Sequence, residues 1–167
     1  MHYESDQILI QGRQKEPLYR NLAKKLKQES DQKVDTLLHQ AHDEVFESFD
    51  CLTCANCCKT TSPVFLEKDV ERIASSLRMK PGNFIAKYLK RDEEGDLVLK
   101  SSPCAFLLPD NSCSIYENRP AACKKYPHTD RKKVKQLLNL TLKNSLICPA
   151  VQEILLRVNE SINIRKS

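Results

Sequence analysis

Glycine and large aromatic groups are scarce in this sequence. Its 167 residues hold three glycines, no tryptophan and only 6% aromatic residues. Gly12, Gly82 and Gly95 stand far apart, so none can belong to a glycine-rich loop that cradles phosphate. No nucleophile elbow and no zinc-protease helix motif occurs either. These absences remove support for nucleotide-driven and common hydrolytic chemistry. Long apolar runs are missing too: no stretch reaches the ~18 consecutive apolar residues of a spanning helix. Residues 1–11 lack the basic region and apolar core of an export signal. The expectation is a cytoplasmic protein that does not enter a membrane.

What the chain has in abundance is thiol. Eight cysteines sit in a composition that is otherwise ordinary for a globular chain, with 40% apolar and 29% charged residues. In a reducing cytoplasm such thiols serve as metal ligands or redox groups rather than as four structural disulfides. Four of them fall within eight residues, Cys51-Leu52-Thr53-Cys54-Ala55-Asn56-Cys57-Cys58, which is not how small core-filling cysteines are scattered. Cys104, Cys113, Cys123 and Cys148 follow, the last three after 8, 9 and 24 intervening residues. A tight cluster therefore meets a dispersed set, as when distant segments converge on one inorganic centre.

Spacing limits the geometry. On a helix, Cys51, Cys54 and Cys58 would share one face at i, i+3 and i+7, whereas a looped backbone would present Cys51, Cys54 and Cys57 together. Neighbouring side chains diverge, so Cys57 and Cys58 point to two ions or a polynuclear centre rather than to one tetrahedral ion. Eight thiolates make two four-sulfur zinc sites, closed and structural. Iron is the competing metal, because three cysteines separated by pairs of residues and a distant Cys148-Pro149 imitate part of the ferredoxin iron-sulfur pattern. Thiols bind metal as thiolates. Eight thiolates holding two divalent ions would take the formal charge from +5 to +1, leaving little general attraction for polyanions.

Around the cysteines the hydrophobic pattern is mainly helical. Helix is expected from Glu16 to about Phe49 in two pieces, the second carrying Val34, Leu37, Leu38, Ala41, Val45 and Phe49 on one stripe, with Ser30 or Asp31 as its cap. That stripe packs on the cysteine-rich part or, on a sharper reading, makes a partner-binding or dimerisation helix. His39 and His42 read as solvated side chains on its polar face. A helix follows from Glu67 to Leu77, and another opens at Pro81 and runs to Lys90 with Phe84, Ile85, Tyr88 and Leu89 on its apolar side. Residues 92–96 form a turn. Leu97-Val98-Leu99 and Ala105-Phe106-Leu107-Leu108 are strand candidates, so a small hairpin carries Cys104 and Cys113. Pro120 starts a short helix holding Cys123, and Pro127 ends it. Val134, Leu137, Leu138 and Thr141 mark one late helix, and Val151, Ile154, Leu155, Val158 and Ile162 mark the last. The fold class is mainly α with a small β hairpin, loop-rich at a cysteine cluster organised around metal.

The residues also carry a resemblance. CxxCxxCC at Cys51–Cys58, then Pro103-Cys104-Ala105-Phe106-Leu107, then Cys113-Ser114-Ile115-Tyr116-Glu117-Asn118-Arg119-Pro120-Ala121-Ala122-Cys123-Lys124-Lys125-Tyr126-Pro127, resemble the YkgJ-like cysteine cluster family, held to chelate zinc or iron. The resemblance covers roughly residues 49–149. It implies Cys51, Cys54, Cys57, Cys58, Cys104, Cys113, Cys123 and Cys148 as ligands, with Tyr116, Arg119, Pro120, Tyr126 and Pro127 as the accompanying signature. His128 departs from the apolar or aromatic residue expected after Tyr126-Pro127. The implied division is a helical extension at 1–48, the metal-binding domain at 49–149 and a terminal helix at 150–167. Related cysteine-cluster domains resemble part of flagellin lysine N-methylase, which keeps an iron-sulfur redox or methyltransferase-like enzyme as an alternative by analogy.

Arg119 lies between Cys113 and Cys123, where a guanidinium offsets thiolate charge from just outside the ligand shell. Tyr116 and Tyr126 pack over the same place, since a phenol with its usual pKa near ~10 is a poor base at neutral pH. Lys124, Lys125, Arg131, Lys132, Lys133 and Lys135 make the one dense basic segment. Such runs are mostly solvated helix faces, so a zinc-stabilised nucleic-acid or protein interaction module ranks behind metal binding itself.

Overall fold

The computed structural model describes residues 5–164, which form two compact units: 5–51 with 127–164, and Leu52–Tyr126. The described chain is 62% helical, and its one sheet is a two-stranded antiparallel hairpin. The fold is thus mainly α with a small β hairpin. No helix among the described residues is long and apolar enough to cross a membrane.

The helical unit begins with α1 (Ser5–Lys27), which starts well before Glu16 and runs through Pro17. Proline there removes one rung of the helical ladder, and the buried face of Ile8, Gly12, Tyr19, Leu22, Ala23 and Leu26 carries the helix past it. α2 (Asp31–Phe46) is capped by Ser30, whose hydroxyl accepts the Lys33 N–H at 3.3 Å. Its buried residues Val34, Leu37, Leu38, Ala41 and Val45 are five of the six expected on the stripe; the sixth, Phe49, lies beyond the helix, which stops at Phe46. The stripe is covered by the last helix, α8 (Pro149–Ile164), and by a 3-10 turn at Val134–Leu137 that leads into α7 (Leu138–Asn144). α8 returns Ala150, Val151, Ile154, Leu155, Val158 and Ile162 to the same core.

In the second unit α4 (Glu67–Ser76) buries Val70, Ile73 and Ala74, and α5 (Pro81–Tyr88) opens on its proline as expected. The helix stops two residues early. Leu89 turns into β1 (Leu89–Arg91), which pairs with β2 (Leu97–Leu99) in the register Leu89–Leu99, Lys90–Val98 and Arg91–Leu97. The intervening turn is held by the Asp92 carboxylate, which accepts the N–H groups of Glu94 and Asp96, and by Gly95 at φ +86°. Pairing with β2 competes successfully with the helical pattern because it buries Leu89 and Leu99 in the core of Phe65, Phe84, Phe106 and Ile115. Residues 105–108 do not form a strand. Their one ladder contact is a bridge between Leu107 and Cys113, so the hairpin belongs to residues 89–99 and carries no cysteine.

Candidate metal centre

Cys51 opens a 3-10 turn at Cys51–Thr53, and Cys57 and Cys58 begin the short α3 (Asn56–Thr60). Between them Ala55 takes a left-handed backbone at φ 48°, which breaks any continuous helical face through the cluster. A single helical face at i, i+3 and i+7 is therefore not formed. Cys54 and Ala55 are buried, and the Cys54 carbonyl accepts the Lys59 ammonium at 2.9 Å, so a cation folds back over the cluster. Thr60 and Thr61 hydroxyls cap the carbonyls of Asn56 and Cys57.

The distant cysteines are brought in by the backbone. The Cys104 N–H donates to the Cys58 carbonyl at 2.8 Å, and the Ser102 hydroxyl donates to the Lys59 carbonyl at 2.8 Å. The turn at residues 108–112 closes through Leu108 N–H on the Ser112 carbonyl, and Asn111 reaches from it to the Leu52 carbonyl at 2.8 Å. Cys113 lies across the bridge from Leu107, and its carbonyl accepts the Tyr116 N–H. Cys123 sits in the middle of α6 (Ala121–Lys125), which Pro120 precedes and Tyr126 ends, as the prolines predict.

Electrostatics show which thiols share a field. Burial pushes up the thiols of Cys54, Cys104, Cys113 and Cys123, the last to about 12, and each is raised further by negative charge at Cys58. Cys104 and Cys113 raise Cys123 as well. Cys58 is pulled down, first by a hydrogen bond from Cys57 and then, against burial, by the Lys59 charge. Arg119 lowers both Cys113 and Cys123. Its guanidinium lies 3.8 Å above the Tyr116 ring and donates to the Tyr116 carbonyl at 2.7 Å, which fixes the cation on an exposed aromatic face. Tyr126 is half-buried at the end of α6.

Cys51, exposed, and Cys148, buried, belong to the helical unit. Cys148 directly precedes α8 and donates its N–H to the Asn144 carbonyl at 2.8 Å. None of the eight cysteines is joined in a disulfide. Among the described residues no three His, Cys, Asp or Glu side chains already stand as an ion-holding group. What fits a metal here is the chemistry of the donors: sulfur only, drawn from four chain segments, with the thiolates of Cys54, Cys104, Cys113 and Cys123 destabilised by burial and by the charge of Cys58. A cation relieves both penalties at once.

His39 and His42 are half-buried rather than solvated. His39 Nε2 lies 3.0 Å from the Arg131 carbonyl, and His42 Nδ1 lies 2.8 Å from the Thr129 hydroxyl with its ring against Phe46. Each has a partner in the loop after Pro127, which helical periodicity could not reveal. His128 takes a left-handed φ of 68° there, followed by a fully buried Thr129. The basic segment is not one helix face. Lys133 is left-handed at φ 56°, and Lys135 leaves the exposed set to pair with Asp31 at 2.7 Å. Lys59 was overlooked in the sequence, although a cation directly after Cys58 was the available signal.

The second unit carries cysteines on α3, in the 104–113 loop and on α6, the pattern of a cysteine-cluster domain. Consistent with this, residues 50–148 match the family model CxxCxxCC, described as "Putative zinc- or iron-chelating domain", and the chain belongs to that family. No curated protein and no solved structure matches it.

Proposed function

We propose that this chain is a metal-binding protein that holds zinc or iron through thiolates of residues 49–149. The ligands are drawn from Cys51, Cys54, Cys57, Cys58, Cys104, Cys113, Cys123 and Cys148. The observation that carries the reading is the convergence of separate segments on Cys58: its carbonyl accepts the Cys104 N–H at 2.8 Å, and its charge raises the thiols of Cys104, Cys113 and Cys123, with Lys59 and Arg119 as counter-charge. Arg119, stacked on Tyr116, offsets thiolate charge, and Tyr126 closes the helix that presents Cys123. When bound, zinc would supply a closed structural crosslink, and iron or an iron-sulfur cluster an electron-transfer centre. A cytoplasmic setting keeps these thiols reduced and competent to bind.

The test is elemental analysis with a visible spectrum on protein purified without oxygen. About two zinc per chain without colour would establish closed four-sulfur sites. Iron with acid-labile sulfide and visible absorption would instead make the centre an electron carrier or part of an enzyme. Chain with neither metal, refusing both on reconstitution, would sink the reading. Cys123→Ser should lower the metal content by about one ion per chain and loosen the 104–126 region, because metal binding and folding of such a site are coupled. Unchanged content would remove Cys123 from the ligand set.

A further inference from the structure

The second unit aims a half-buried ion pair at the segment that presents Arg119 and Cys123. Asp69, in the first turn of α4, is 2% exposed. Its carboxylate accepts the Leu66 N–H at 3.2 Å, the Arg72 guanidinium at 2.6 Å and, from 52 residues along the chain, the Ala121 N–H at 3.1 Å. Ala121 is the first residue of α6, and its preceding residue, Pro120, offers no side-chain acceptor. Without Asp69 that helix would begin with an unsatisfied amide in a partly buried place. Arg72 completes the contact by donating through Nη2 to the carbonyls of Arg119 at 3.0 Å and Asn118 at 3.4 Å. One helix thus grips three residues within four positions, Asn118 and Arg119 by their carbonyls and Ala121 by its N–H.

We infer that Asp69 and Arg72 are positioning residues for the metal centre, fixing where α6 starts and so where Arg119 and Cys123 are held. The inference rests on the thiolate reading above. A buried ion pair is a poor way to gain stability, since apolar groups of similar volume do as well; its attested use is to specify one register. Here the specified register is that of the Arg119-Pro120-Ala121-Ala122-Cys123 run, whose proline-flanked, five-residue helix has little intrinsic stability. Val70 and Ile73, on the same helix, face the apolar core instead and supply the control.

The experiment uses the full chain with Asp69→Asn, Arg72→Gln and, as control, Val70→Ala. Two readouts are taken: amide hydrogen exchange of residues 118–124 in the metal-free chain, and titration with Co2+, whose visible spectrum reports thiolate geometry. Asp69→Asn should speed exchange at 118–124 and weaken Co2+ binding by about tenfold or more, as loss of an outer-sphere partner does, with a shifted spectrum. Arg72→Gln should follow in the same direction and keeps the test open if Asp69→Asn does not fold. Val70→Ala should lower overall stability while leaving the Co2+ affinity and spectrum within about twofold of the parent chain, because it removes packing but no ligand-orienting contact. Folded Asp69→Asn and Arg72→Gln chains with parental Co2+ binding would overturn the inference, as would an equal loss in Val70→Ala. If the parent chain takes up no metal while the exchange difference persists, the metal reading fails and the clamp remains a device of the fold alone.

Discussion

Tyr19 is fully sealed in the helical unit, and its hydroxyl donates to the Gln152 carbonyl at 3.2 Å. Gln152 in turn donates to the carbonyls of Ile8 and Ser145, making a small buried polar knot where α1 meets α8. Gly12 belongs to the same place: a Cβ there would stand 2.6 Å from the Ser145 carbonyl oxygen, so only glycine lets the two backbones approach. Burial, and after it the Glu153 charge, hold the Tyr19 hydroxyl proton until about 12. An unfolded tyrosine releases it near ~10. The unfolded chain therefore binds fewer protons across that interval, so the contribution is full below about pH 10 and is lost as pH rises towards about 12. Denaturant unfolding at stepped alkaline pH should show this decline, and Tyr19→Phe, which cannot ionise, should flatten it. An equally steep decline in the phenylalanine variant would assign the loss to other groups. No local signal in the sequence marks Tyr19, because the carbonyl its hydroxyl reaches lies 133 residues away.

Among the elements, those framed by local signals were legible. Proline marked the starts of α5 and α8 and the bounds of α6, Ser30 marked α2, and apolar periodicity gave the buried faces of α2, α4 and α8. Elements decided by pairing were not. Leu89 left its helix for β2, and residues 105–108 make a single bridge, Leu107 to Cys113, in place of a strand. The 3-10 turn before α7 is also set from afar: Asp35 on α2 accepts the N–H groups of Lys133 and Val134 at 2.8 and 2.9 Å. Asp35→Ala leaves both without that acceptor and should cost about 1–2 kcal/mol, the range for loss of a helix cap. Thermal or urea unfolding measures it, and a change below a few tenths would mean that water replaces the carboxylate without penalty.

For the molecule as a whole, the two units differ in what holds them. The helical unit closes on long amphipathic helices, whereas the second unit has a compact aromatic core of Phe65, Phe84 and Phe106 but leaves residues 104–126 to turns, a bridge and a five-residue helix. A metal crosslink would matter most in that stretch. Stripping the purified holoprotein with a strong chelator should raise amide exchange across residues 104–126 by an order of magnitude or more, while α2 and the middle of α8 stay protected. Equal protection with and without metal would mean that the thiols contribute nothing to the order of that unit.

The sequence by itself determined the chemistry and the class. Eight thiols, four of them packed into Cys51–Cys58, together with the Cys113–Pro127 signature, can be read without coordinates because a ligand's chemistry resides in its own side chain. Helix content was equally local, written in periods of a few residues. Tertiary structure alone decided which charges face the thiols, that Ala55 breaks the cluster's backbone, that both histidines are engaged and that Asp69 caps a helix 52 residues away. Those facts depend on burial and on the meeting of distant segments, and both come into being only when the chain has folded.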